Sequence, residues 1–541
     1  MKIYNSIYIG SILLMTLASC KTTITPIVST NPINIDKIPL KVSALKEVDL
    51  KRWSHLDLAK DTVPGMSVDK AYMQLLKGKK STRVIVAVVD SGVDIEHEDL
   101  KGSIWTNPKE IAGNGIDDDK NGYIDDIHGW NFLGDANNEN LESTRIVKKG
   151  DDGSQTYKDA KSDLDKSKAD LMPQKQQLDM ILGADKAIVN LLKKQNYTLV
   201  EVKAIKTEDP LLSQSKAIMS QVLSNGTKAD FDAEMTNYKD YVYGQLNYNL
   251  NTEFDGRKIV GDNPEDLSDK KYGNNIVYYA KDKEQSLHGT HVAGIIAQVR
   301  GNGKGGDGIA NNVAIMSVRA VPNGDEYDKD IALAIRYAVD NGAKVINGSF
   351  GKSFSPHKQW VYDAIKYAAD KDVLFVHAAG NDGHDIDIAE NKNFPNDADG
   401  SQPEFANNML TIGALNLEYG SNLVAGFSNY GKENVDIFAP GMKIWASVPN
   451  NKYKYEQGTS MASPNVAGVA ALIREYYPNL KAKQVKQIIM DSGTPISTSV
   501  FLGETKEGEP KNNKPFSESC KSGKIVNAYN ALIMAEKLSK K

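Results

Sequence analysis

Residues 82–94 read TRVIVAVVDSGVD, an unbroken run of valine, isoleucine and alanine that ends on Asp90 and turns at Ser91-Gly92. A half-exposed strand would alternate apolar and polar residues. A continuous run suits a strand buried on both faces, as in a parallel sheet. NNVAIMSVRAV (311–321), AKVINGSF (343–350), DVLFVHAAGN (372–381) and NMLTIGALN (408–416) have the same character. DKDIALAIRYAVDNGA (328–343) and HKQWVYDAIKYAADKD (357–372), which lie between them, carry apolar residues at helical spacing. Strands alternating with helices predict an α/β chain, a parallel sheet with helices on both faces. Functional groups in such sheets gather at the carboxyl ends of the strands. Asp90 and Asn381 stand at such ends.

One stretch breaks this rhythm. Residues 150–245 are rich in lysine and aspartate, and Leu164, Leu171, Leu178, Ile181, Ile188 and Leu192 fall on one helical face. Leu212, Ile218, Met219 and Leu223 mark a second helix, while Pro173 and Gly183 are expected to interrupt the first. This reads as an inserted helical hairpin or small bundle whose stripes form its own core, with a partner-docking role as the alternative. At the N-terminus, Lys2 precedes an apolar run of signal-peptide length, and residues 20–64 read as a Thr/Pro/Lys-rich tether and lead-in with packed-on strands or turns. The α/β body is expected in two parts, 65–149 and 246–541. The 541 residues are 40% hydrophobic and 25% charged with a formal net charge of −5, an ordinary globular balance. With no basic stripe interleaved with aromatics, nucleic acid is not the expected ligand. Two cysteines, Cys20 and Cys520, are too few for a disulfide framework.

Three segments carry chemistry. YEQGTSMASPNVAG (455–468) sets Ser460 before a run of small residues, where a hydroxyl serves equally as a nucleophile or as a helix cap. SLHGTHVAGIIAQV (286–299) sets His288 at the start of a small, apolar helix. Asp90 ends a buried strand, where a carboxylate is costly unless a cation or hydrogen bonds compensate, and an imidazole would do so. A serine nucleophile needs a base within reach and a carboxylate that orients that base.

VVDSGVD, HGTHVAG and GTSMASP together resemble the signature segments of the subtilisin-like serine proteases, in that family's order Asp, His, Ser. The resemblance covers about residues 65–130 and 270–535. It implies Asp90 as orienting carboxylate, His288 as general base and then acid, and Ser460 as nucleophile of a serine endopeptidase acting on proteins or peptides. HAAGND implies Asn381 as an oxyanion donor beside the Ser460 backbone N–H. NGSFG resembles the strand that pairs with substrate, which would put Ser349 and Gly351 at the edge of the pocket for the substrate side chain. The rival class is a silent surface binding protein on the same fold. The triad segments Asp90 and His288 lie unusually far apart, with the helical insertion between them. Loop closure costs only about 0.6 kcal/mol per doubling of length, so the triad can still assemble, and the insertion is placed to overhang the cleft.

GIDDDKNGYIDDIHGW (115–130) reads as a calcium loop: Asp117, Asp119 and Asn121 alternate, Gly122 turns, Tyr123 offers a carbonyl, and Asp125 follows at the ninth position. His128 stands at the twelfth position in place of glutamate, and Asp126 is the substitute ligand. Leu17-Ala18-Ser19-Cys20 resembles the bacterial lipobox, which implies a signal peptide over 1–19, acylation of Cys20 and a membrane anchor outside the cytoplasm. Too little chain separates Cys20 from Asp90 for a folded pro-domain, so no large propeptide is expected.

Overall fold

The computed structural model describes residues 45–398, 404–504, 508 and 510–540. The signal segment and Cys20 lie outside the described residues. The opening run forms strand β1 (Val84–Asp90). Val86 and Val88 enter the apolar core on one side of the sheet, and Ala87 and Val89 the core on the other. That two-sided burial is why the run has no polar alternation.

The sheet continues with β2 (Gly129–Asn131), β3 (Val313–Arg319), β4 (Val345–Gly348), β5 (Leu374–Ala378), β6 (Met409–Leu415) and β7 (Ile437–Pro440). A hairpin of β8 (Ile444–Val448) and β9 (Lys452–Glu456) stands apart. Beyond it come β10 (Thr494–Pro495), the pair β11 (Ser499–Phe501) and β12 (Asn513–Pro515), and β13 (Lys524–Ile525). The nine-stranded order is β10-β13-β7-β6-β5-β4-β1-β3-β2. All its pairs are parallel except β10 with β13 at the edge. The chain therefore builds to one side of β1 through β3 and to the other through β4. The carboxyl end of β1 is thus the switch point, where open α/β sheets leave a crevice. Asp90 sits there.

Helix α1 (Glu142–Lys149) leads into the insertion, which holds α2 (Gln155–Leu192), α3 (Leu199–Ala204), α4 (Pro210–Val222) and α5 (Lys228–Gly244). Then follow α6 (Leu287–Ala297), α7 (Asp328–Asp340), α8 (Lys358–Asp370), α9 (Thr459–Tyr476), α10 (Ala482–Ser492) and α11 (Ala528–Ser539). Helices α6, α9, α10 and α11 cover one face of the sheet; α7 and α8 cover the other.

Two expectations need correction. Helix α2 runs 38 residues without a break at Pro173 or Gly183. Pro173 removes the bond to the carbonyl of Ala169, but both residues lie on the exposed face, where water can take that carbonyl. Leu164, Leu171 and Leu178, one heptad apart, are buried on the opposite face and carry the helix through the proline. Gly183 is also exposed, so it costs only about 0.5–1 kcal/mol relative to alanine. The second concerns the form of the lead-in: its packed-on part, expected as strands or turns, is made from residue 47 of short helical turns, Glu47–Leu50, Trp53–His55 and Leu58–Asp61. Trp53 is buried and its Nε1 donates to the carbonyls of Met442 (3.0 Å) and Lys443 (3.2 Å), which fixes this segment to the body.

Candidate active site

Asp90 is 1% exposed at the end of β1. Its Oδ1 accepts the Ser91 N–H at 2.7 Å and lies 2.7 Å from His288 Nδ1. Its Oδ2 is buried with no partner among the described residues. His288 is the second residue of α6. Gly289 explains how that helix start comes so close: a Cβ there would meet the Gly92 carbonyl oxygen at 2.2 Å and Asp90 Cβ at 3.1 Å. Desolvation pulls the His288 pKa down, but the charge and hydrogen bond of Asp90, with Glu456 beyond, outweigh it and hold the imidazole above its ordinary 6.5. The side chain is still 39% exposed, so the other ring nitrogen can meet a substrate.

The second histidine of the segment has a different fate. His291 is fully buried, with Nε2 between the carbonyl oxygens of Ile444 (3.0 Å) and Lys454 (3.1 Å). Burial depresses its pKa to about 3, so it stays neutral and pins α6 to the β8–β9 hairpin. Three positions separate an exposed, carboxylate-paired imidazole from a structural one.

Ser460 is the second residue of α9, half-buried, where backbone N–H groups at the helix start are free of intrahelical bonds. Its Oγ lies 3.4 Å from the Ser349 carbonyl oxygen. Asn381 follows β5; its Oδ1 accepts the Thr459 N–H (2.8 Å) and hydroxyl (3.1 Å). The carbonyl end being held this way, the exposed Asn381 Nδ2 has no partner among the described residues and is left as a donor. Ser460, Asn381, Gly380 and Gly351 line a cleft of about 440 Å³. A cavity of about 460 Å³ between Lys366, Phe405 and Lys481 is slightly larger, but no serine or histidine lines it. Chemistry, not volume, singles out the cleft.

Ser349 departs from its expected place. It is 4% exposed, and its hydroxyl donates to the Ser460 carbonyl (2.9 Å) while accepting from Asn347 Nδ2 (2.9 Å). It braces the Ser460 backbone from below, so Gly351 lines the cleft and the Ser349 side chain does not.

The acidic loop also differs from its sequence pattern. Carboxylates of Glu110, Asp117 and Asp119 lie within 4.8 Å of one another. Asp125 turns away: its oxygens accept the N–H groups of Gly113, Asn114 and Gly115. Asp126 is capped by Asn107, Asn121 and the Tyr337 hydroxyl (2.6 Å), and burial lifts its pKa to about 6. The Asn121 side-chain oxygen accepts the Tyr123 N–H (2.8 Å), and the Tyr123 ring packs on Trp130 and Tyr337. Asp125 and Asp126 thus hold the loop's shape, and their removal from the ligand set follows from these bonds. Glu110, seven positions before the motif, was not legible as a ligand. It also accepts the Asp119 and Asp125 N–H groups. Three carboxylates this close repel unless a cation or donors offset them, and their hard oxygens fit a divalent ion.

Residues 81–517 match the Subtilase family. The chain is 40% identical over 211 residues to a thermophilic serine proteinase of Bacillus sp. (strain AK1), covering 39% of this chain and 47% of that protein. It is 40% identical over 221 residues to a cell wall-associated protease of Bacillus subtilis (strain 168), covering 41% and 22%. To subtilisin DY of Bacillus licheniformis it is 34% identical over 227 residues, covering 40% and 74%. The match thus spans about half of the first of these relatives and less of the second. With the family match reaching from the first residues before β1 past β12, over a parallel sheet that brings an Asp–His pair to its switch point, the chain belongs to the subtilase family.

Proposed function

We propose that the protein is a serine endopeptidase that hydrolyses peptide bonds of proteins or peptides through an acyl-enzyme. The 2.7 Å contact of Asp90 Oδ1 with His288 Nδ1, taken together with a cleft lined by Ser460 and Asn381, carries the reading. Asp90 fixes the imidazole so that Nε2 is free to take the Ser460 hydroxyl proton as Oγ attacks the scissile carbonyl. Asn381 Nδ2 and the Ser460 N–H donate to the oxyanion that forms. The imidazolium then gives its proton to the departing amine as the C–N bond breaks, leaving an ester on Ser460. Water, deprotonated by His288, attacks that ester and frees the acid and the hydroxyl. Substrate lies along the Phe350-Gly351 segment by strand addition.

Calcium is the proposed ion for Glu110, Asp117 and Asp119, where it would bind the loop together and take no part in the reaction. Acylation of Cys20 would anchor the protein to a membrane outside the cytoplasm, as a secreted bacterial lipoprotein. A partner docking on the insertion remains the alternative use of that segment, and a silent binding protein the alternative to the enzyme.

Labelling with a fluorophosphonate probe tests the reading. Wild-type protein should label and Ser460→Ala should not, with peptide hydrolysis falling by roughly 10⁶. Wild type that neither labels nor cleaves, with and without calcium, would leave the silent binding protein.

A further inference from the structure

We propose that the long helix α2 forms one wall of the pocket beside Ser460, and that Asp163 on it favours substrates with a basic side chain there. The inference rests on the peptidase reading and adds to it the class of side chain that the pocket takes.

The cleft that Ser460, Asn381 and Gly351 line on one side is closed on the other by Leu141 and Ser143 at the root of the insertion and by Asp163 and Ser167 of α2. Asp163 and Ser167 are one helical turn apart and share a face. Leu164 and Leu171, buried in the insertion's own core, fix the rotation of the helix and so the direction of that face. The wall is also tied to the strand it faces. Lys352 follows Gly351 directly; its Nζ, 2% exposed, contacts Glu142 Oε2 at 2.8 Å and Asp328 Oδ1 at 3.0 Å. Glu142 also pairs with Arg145 Nη2 at 2.5 Å, and Arg145 donates onward to the Asp325 carbonyl (2.9 Å). One buried set of charges therefore joins α1 to the substrate segment.

The charges left facing the cleft are few. Lys352 is neutralised within this buried set. Asp325 Oδ2 accepts the Glu142 N–H at 2.7 Å, and burial raises its pKa. Asp382 accepts from Asn429 Nδ2 at 3.2 Å and is itself one of the residues lining the cleft. Asp163 has no hydrogen bond or ion pair with any described residue, and Lys392 is the exposed cation among the residues lining the cleft. Two carboxylates against one exposed ammonium give the pocket a negative bias, and Asp163 is the group free to meet an incoming cation.

The test uses the full chain and peptides that differ only in the residue before the scissile bond, lysine against glutamate, with kcat/KM as the readout. Wild type should prefer lysine. Asp163→Lys should lower the lysine-to-glutamate ratio by about fivefold or more, the scale of one exposed pair lost and one repulsion gained. Asp170→Lys, on the same helix but paired with Lys166 away from the cleft, should leave the ratio within about twofold. A wild-type preference for glutamate, an unchanged ratio in Asp163→Lys, or equal shifts in both variants would overturn the inference. If fluorophosphonate labelling is intact in those cases, the peptidase reading stands. Wild type that neither labels nor cleaves removes that reading and this inference with it.

Discussion

In the sheet body, β1 buries Val86 and Val88 toward one layer of helices and Ala87 and Val89 toward the other, so almost no atom of it meets water. Helix α2 has more than five times as many residues, yet buries chiefly a narrow stripe, Leu164, Leu171, Leu178 and Ile188. Its outer face carries lysine–aspartate pairs at i,i+4, such as Lys166 with Asp170 and Lys175 with Asp179. Such exposed pairs are screened by solvent and contribute little to stability. The body thus seats the Asp90–His288 pair on a sheet buried on both faces, whereas the insertion has two small cores of its own and carries none of the residues proposed for the reaction.

The Lys352 node joins the two regions, and breaking it should have the largest effect on stability. Lys352→Met leaves Asp328 without its buried cation and Glu142 with Arg145 alone, so unfolding should be easier by roughly 3–5 kcal/mol, read from denaturant melts. An unchanged midpoint would mean that the insertion and the body are not coupled there. Asn381→Ala should lower kcat by about 10²–10³, the cost of one oxyanion donor in subtilisins, while the lost bonds to Thr459 lower the stability of the body by only about 0.5–2 kcal/mol. A loss shared equally between stability and activity would place Asn381 in the scaffold instead.

The body's chemistry should also show in pH. His288 must be neutral to accept a proton, and Asp90 raises its pKa. The rate kcat/KM should therefore fall as pH drops through a midpoint above 6.5, about tenfold per unit below it. A profile flat from pH 5 to 8 would remove His288 as the base. The smallest effect belongs to the insertion: Ile188→Val should cost about 0.5–1.5 kcal/mol, seen as faster amide exchange in α2 and α4 with the sheet unaffected. Exchange that quickens throughout the sheet would merge the two regions into one cooperative unit.

Much of this was legible in the chain. The five apolar runs became β1, β3, β4, β5 and β6, because burial on both faces imposes a continuous apolar composition. The leucine stripe of α2 was legible for the parallel reason, a heptad spacing that puts side chains on one face. Its continuity through Pro173 was not, because propensity counts the lost hydrogen bond while the exposed position of Ala169 and the buried leucines decide whether it matters.

By itself, the sequence determined the sheet's strands, the candidate nucleophile, base and carboxylate, and the helical character of residues 150–245. Each of these is written in a short local pattern. Tertiary structure alone decided that Glu110 joins Asp117 and Asp119, while Asp125 and Asp126 are spent on neighbouring N–H and O–H groups. It alone decided that Ser349 braces Ser460 from beneath, and that Asp163 of a distant helix faces the cleft. The reason is directional. A carboxylate or hydroxyl takes whichever donor or acceptor folding brings within about 3 Å, and docking of distant segments sets which one that is.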